Sequence, residues 1–274
     1  MKKLLWVLFA LCLLMPAACG GHQNAQGEAA GRRAPVITAE GGQPAGAGVP
    51  DVPPPGPEPE APAASGQEAA RAAYRAVLED IYTEHKFPDG VDHGYEEPLS
   101  ADANQFALFD VDQDGREELI VTYTSTPLYA GRIAFVLDYD EAAGAVRMEF
   151  SNFPLLTFYD NGVIQAGWSH NQGRAGDSLW PYTFWRYDAE TDAYTAGEDV
   201  DAWDKSLVEE GFPDSVDADG DGVVYYIMPY GSYDTSQPVD GPAYQQWRDA
   251  FVGGAQALQL PYAALNAENI ERVK

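Results

Sequence analysis

The stretch FALFDVDQDGREELIVTY, Phe106 to Tyr123, sets the reading of this chain. Two runs of apolar, aromatic and β-branched residues flank a tight acidic segment, and such runs fit the pleated, half-buried surface of paired strands. The segment between them places Asp110, Asp112 and Asp114 at alternate positions and follows them with Gly115. Alternating carboxylates on a sharp turn converge where consecutive ones diverge, and a hard cation such as Ca²⁺ takes roughly six to eight oxygens. Counted from Asp110, Arg116 offers its main-chain carbonyl at position seven and Glu118 a carboxylate at position nine. Three like charges within one turn repel each other, a cost that a bound divalent cation lifts.

This pattern resembles two known loop families. One is the first half of the EF-hand loop; the other is the aspartate loop between strands in integrin-type FG-GAP propeller blades. Val121 stands where an EF-hand carries its bidentate glutamate, and the flanks read as strands, so the second likeness is the better. It implies a structural calcium site rather than a helix-opening switch. A second segment, VDADGDGVVYY, repeats the spacing with Asp217, Asp219, Asp221 and Gly222, with Val223 at the carbonyl position. Tyr225 occupies position nine, so this loop is expected to bind more weakly or to recruit a carboxylate from elsewhere. Without a cation, both loops would be polar turns whose aspartates cap backbone amides. Affinities of extracellular calcium modules, roughly 10⁻⁴ to 10⁻³ M, are expected.

Around these loops the periodicity changes along the chain. Ser65 and Glu68 have the spacing of a capping box, and Ala70, Ala73, Tyr74, Val77, Leu78, Ile81 and Tyr82 then recur at helical intervals before Pro88 and Gly90. Beyond Leu99 short aromatic strands alternate with turns. RIAFVLDYD and AVRMEF flank Glu141 to Gly144, LLTFYD and VIQAGW flank Asn161-Gly162, and TFWRYD and DAYTAG flank a bend near Asp188 and Asp192. A short helix is expected from Ala202 to Glu210, then the strand VVYYIM, a helix opened by Pro242 and stopped by Gly253-Gly254, and a last short helix capped by Asn266. The whole predicts an α+β fold: an antiparallel β-meander with an N-terminal helix and C-terminal helices packed on it.

The ends of the chain set its context. MKKLLWVLFALCLLMPAACG begins with two lysines and an apolar run too short to cross a bilayer comfortably, which reads as an export leader. Pro16-Ala17-Ala18-Cys19 resembles the lipobox of bacterial lipoproteins, which implies cleavage before Cys19, its acylation, and a lipid anchor on the outer face of the cell membrane. Residues 20–64 are mostly Gly, Ala, Pro, Gln and Glu, a composition that cannot bury enough apolar surface to order itself, so a disordered tether is expected. Residues 65–274 form a single α+β domain. The only other cysteine is Cys12, inside the leader, which excludes a disulfide framework. The net charge of -27 makes nucleic acid an improbable partner, because phosphate binding depends on Lys and Arg. Leader, tether and acidic strand domain together resemble uncharacterised surface lipoproteins of Gram-positive bacteria, a likeness that carries no activity.

Two other features bear on function. Ser169 and His170, as neighbours on a strand, would point to opposite faces and form no nucleophile–base pair. The Gly- and Asn-rich segment between Trp168, Trp180 and Trp185 offers either core rings or an aromatic surface for a glycan or a surface protein, with Trp180 the first candidate for exposure. The reading is thus an exported, lipid-anchored, non-catalytic protein with structural calcium; the alternative is a carbohydrate- or peptide-binding module using those tryptophans.

Overall fold

The computed structural model describes residues 62–97 and 103–274, all within one compact unit. The expected leader, Cys19 and the tether up to Ala61 lie outside the described residues. The first helix, α1, spans Pro62–Glu84 and so begins ahead of Ser65. Proline is at home in the first turn of a helix, where its missing N–H has no partner to lose, and Ala63 and Ala64 favour the helical state. Tyr74, Leu78 and Ile81 on one face are buried, whereas Tyr82, at the margin of the apolar stripe, is 43% exposed.

The strands are all antiparallel and divide into two sheets. The first contains β1 (Gln105–Phe109), β2 (Glu118–Tyr123), β3 (Ile133–Asp140) and β4 (Ala145–Asn152), joined at its edge by β11 (Ala263–Ala264), in the order β11-β1-β2-β3-β4. The second contains β5 (Leu156–Phe158), β6 (Val163–Gly167), β7 (Tyr182–Asp188), β8 (Ala193–Asp204), β9 (Val223–Pro229) and β10 (Pro238–Val239), in the order β10-β9-β8-β7-β6-β5. The meander order therefore holds within each sheet, and the chain changes sheet after β4. The β5–β6 connection is the expected tight turn, with Gly162 at φ 71, a conformation that costs glycine little.

Alternation along the strands assigns the layers. On β2 and β3, Leu119, Val121, Tyr123, Phe135 and Leu137 pack with Tyr74, Leu78 and Ile81 of α1. Ile120, Val136 and Phe150 lie in a different cluster, with Phe158, Ile164, Ala166 and Tyr194 of the second sheet. Successive side chains on a strand face opposite ways, so the first sheet is buried on both faces, by α1 on one and by the second sheet on the other. Helix α2 (Gly241–Val252) covers the far side of the second sheet: Phe251 stacks on Phe184 with centroids 4.9 Å apart, and Tyr244 stacks on Tyr225 at 4.1 Å. The short α3 (Ala267–Ile270) is capped by Asn266, whose side chain accepts from Asn269 N, and it returns Ile270 to the α1 core.

The expected helix from Ala202 to Glu210 is not formed. Ala202 to Asp204 complete β8, paired with Tyr225 to Val223, and turns follow. The ladder to β9 satisfies this backbone, so strand pairing overrides local helix propensity.

Leu78 has no exposed surface at the centre of the α1 interface. Leu78→Ala is expected to cost about 2–5 kcal/mol in urea unfolding, whereas Tyr82→Ala, on the exposed rim of the same helix, should stay within about 0.5 kcal/mol.

Candidate metal centre

The β1–β2 loop is held by its own aspartates. Asp110 accepts from Gln113 N at 2.8 Å and Gly115 N at 3.1 Å, Asp112 from Asp114 N at 2.9 Å, and Asp114 from Arg116 N at 2.8 Å. Gln113 and Gly115 take positive φ values of 71 and 93, which bends the chain sharply enough to turn the acids inward. Glu118 lies directly beneath. It opens β2 opposite Phe109, is 1% exposed, and accepts from Val111 N at 2.8 Å with one oxygen. Its other oxygen, Oε1, is buried with no hydrogen-bond partner among the described residues.

Asp110, Asp112 and Glu118 each bring an oxygen within 4.8 Å of the others, a set able to hold a cation. Asp114 is not gathered with them. Its second oxygen takes Arg116 Nε at 2.8 Å and Nη2 at 2.6 Å, so it serves as a partner for the arginine side chain. Arg116 also approaches Asp138 at 3.5 Å.

A β-bulge adds another acid to this region. The β3–β4 register runs Val136 with Phe150 and then Leu137 with Met148, leaving Glu149 as the extra residue. A bulge re-aims the side chain it carries, and here the Glu149 side chain is fully buried. Arg147 opposes Asp138 across the strands and reaches Asp138 at 2.8 Å, Glu149 at 3.2 Å and Asp192 at 2.6 Å. Tyr187 donates to Asp192 at 2.7 Å, and that bond is the first cause holding Asp192 below the usual carboxylate range.

Crowding in a water-poor space shows in the acidities. Burial first, and the charge of Asp112 second, pushes Glu118 up to about 9; the same two causes raise Glu149 to about 8. Burial raises Asp112 to about 6 despite the amide it accepts from Asp114. Each carboxyl is thus poised between keeping a proton and giving it up to a cation.

The second loop, between β8 and β9, repeats the first bond for bond. Asp217 accepts from Gly220 N at 3.0 Å and Gly222 N at 3.2 Å, Asp219 from Asp221 N at 3.2 Å, and Asp221 from Val223 N at 2.7 Å. Gly220 and Gly222 have positive φ, as Gln113 and Gly115 do. Asp217 and Asp219 are joined by Asp240, the N-cap residue of α2. The Asp240 side chain makes no capping bond to its own helix; one carboxylate oxygen accepts from Ala218 N at 3.2 Å and the other, Oδ1, is buried without a partner among the described residues. Asp221 stays outside the group, and Val223 opens β9 opposite Asp204. Asp240 was not singled out by spacing; its signal is an acid just ahead of the Pro242 helix start.

The tryptophans fall into three surroundings. Trp185 packs edge-on against Phe150 in the core between the sheets, with centroids 5.1 Å apart. Trp168 packs with the β9 cluster and donates to Thr183 at 3.1 Å, while Trp180 is 43% exposed and its indole donates to Trp168 O at 2.8 Å. Ser169 and His170 correct the strand-based expectation: they follow β6 in a bend, and Ser169 Oγ lies 3.0 Å from His170 Nδ1. Freed from strand alternation, neighbouring side chains meet. They line a groove of about 480 Å³ with Trp168, Asp199 and Tyr230, but among the described residues no carboxylate is hydrogen-bonded to the imidazole to orient it.

No protein-family model matches this chain, and neither a curated protein nor a solved structure does.

Because Asp112, Glu118 and Glu149 titrate above their unfolded values of about 4, the folded state holds their protons more tightly than the unfolded one. That stabilisation is complete below about pH 4 and is lost as pH rises through their folded values. In metal-free buffer the thermal midpoint is therefore expected to be lower at pH 9 than at pH 6; a midpoint unchanged across that window would contradict the burial of these acids.

Proposed function

We propose that this domain is a calcium-stabilised, non-catalytic module displayed by an exported, lipid-anchored chain. The observation that carries the reading is Glu118: it is almost fully buried, one oxygen has no partner among the described residues, and it is converged upon by Asp110 and Asp112. A buried carboxyl oxygen without a partner is costly, more so when ionised, and a divalent cation that replaces the proton offsets that cost directly. Both candidate groups offer only carboxylate oxygens, with no histidine or cysteine, which favours Ca²⁺ over zinc or copper. The role is structural, since the ligands tie a strand-connecting loop to the first residue of β2. Asp217, Asp219 and Asp240 would do the same for the start of α2.

Linkage gives the size of the effect: free Ca²⁺ at ten times its dissociation constant adds about 1.4 kcal/mol for one site. The full chain should therefore melt higher in Ca²⁺ than in EDTA, with Mg²⁺ less effective because it tolerates irregular geometry poorly. Asp112 is 6% exposed, so the informative variant is Asp112→Asn, which preserves volume; it should shrink the calcium-dependent shift. No shift in the unmodified chain would overturn the reading.

The anchor rests on the sequence from Met1 to Cys19. Cys19→Ser is expected to move the protein from the membrane fraction into the medium or to leave an uncleaved precursor; unchanged membrane retention with normal processing would count against acylation at that residue.

A further inference from the structure

Buried and half-buried acids form a second group that the loop spacing does not contain. Asp112, Glu149 and Asp192 each offer an oxygen within 4.8 Å of the others, and they come from the β1–β2 loop, the β4 bulge and the β7–β8 turn. Two of these elements belong to the first sheet and one to the second. Glu149 Oε2 is buried without a partner among the described residues, on a side chain with no exposed surface. Tyr194 of β8, whose hydroxyl is buried without a partner among the described residues, feels the charges of Glu149, Asp112 and Glu118. These oxygens are distinct from Glu118 Oε1, so a cation held by Asp110, Asp112 and Glu118 does not account for them.

Charge points the same way. Asp110, Asp112, Asp114, Glu118, Asp138, Glu149 and Asp192 crowd this end of the molecule, and the guanidiniums that contact them are Arg116 and Arg147. Arg147 is already divided among Asp138, Glu149 and Asp192, and Arg116 between Asp114 and Asp138. With all of these groups ionised, the seven carboxylates against two guanidiniums leave an excess of five negative charges, of which one dication meets two and two dications meet four.

We propose that Asp112, Glu149 and Asp192 hold a second divalent cation of the hard, oxygen-preferring class, which shares Asp112 with the first and clamps the two sheets together. This rests on the calcium reading of the β1–β2 loop only through the shared Asp112. Tyr194 and water complete the shell, and Arg147 stays on Asp138 as a flanking positive charge. Loss of the second ion loosens the contact between sheets rather than either sheet alone.

The test is titration of the full chain with Tb³⁺, read as tyrosine-sensitised luminescence, counting only ions that added Ca²⁺ displaces. Tyr187 and Tyr194 are placed to sensitise an ion at this site. Relative to the unmodified chain, Glu149→Gln and Asp192→Asn should each lose one displaceable ion, Asp110→Asn should lose one, and Asp112→Asn should lose two. Should Glu149→Gln not fold, Asp192→Asn decides, because that side chain is 43% exposed and its φ of 52 suits asparagine. Wild-type stoichiometry in Glu149→Gln or, if that variant does not fold, in Asp192→Asn overturns this proposal. If Asp110→Asn still loses its ion in that case, the first-loop reading survives. An unmodified chain that binds no displaceable ion overturns both.

Discussion

The burial of carboxylates between two sheets is the constraint around which the rest of this structure is arranged. Hydrophobic contact alone would close the inter-sheet space uniformly, as it does around Ile120, Val136, Phe150 and Ile164. At the end nearest the β1–β2 loop the same space is filled instead by Glu118, Glu149 and Asp112, with Arg147 alongside. Acids placed there repel each other and lack water, so the two layers can meet only if protons, guanidiniums or cations supply the missing positive charge. The bulge that turns Glu149 inward adds to this burden. A device that makes packing harder in isolation is understandable where it makes packing conditional on something bound.

The two acidic loops share one hydrogen-bond ladder but sit in different topological settings. The first joins neighbouring strands of a hairpin and finds its extra carboxylate at the start of the very next strand. The second precedes β9 and takes its extra carboxylate from Asp240, beyond that strand and at the head of a helix. Local sequence builds the same turn twice, since alternate aspartates cap successive amides whatever follows them. What lies below the turn is decided by the fold.

That division explains what could be read in advance. Hairpin turns such as Asn161-Gly162, the α1 stripe around Leu78 and the Asn266 cap are local, so spacing identified them. Asp110, Asp112 and Glu118 were legible for the same reason. Glu149 was not: it is a single acid in the strand AVRMEF, and nothing local says that the ladder will skip it. Asp192 was visible only as a residue in a bend, and its approach to Asp112 depends on how two sheets stack. The separation of one meander into two layers is equally non-local, and so is the meeting of Ser169 with His170, which followed from where β6 stops. Tyr82 lay on the periodic stripe yet faces solvent, because a helix resting on a sheet buries a narrower band than the apolar pattern suggests.

The β11 edge carries a kinetic consequence. Ala263 and Ala264 pair with Phe106 and Gln105, so the first sheet is closed by residues separated from β1 by nearly the whole domain, with every strand of the second sheet in between. Bringing such distant segments together is entropically slow, and until it happens one side of β1 offers unpaired backbone groups. A chain emerging N-terminus first would therefore expose that edge throughout its synthesis or export. Its vulnerability to strand-to-strand aggregation is greatest in the interval before β11 arrives, when Gln105 and Phe106 still lack their partners.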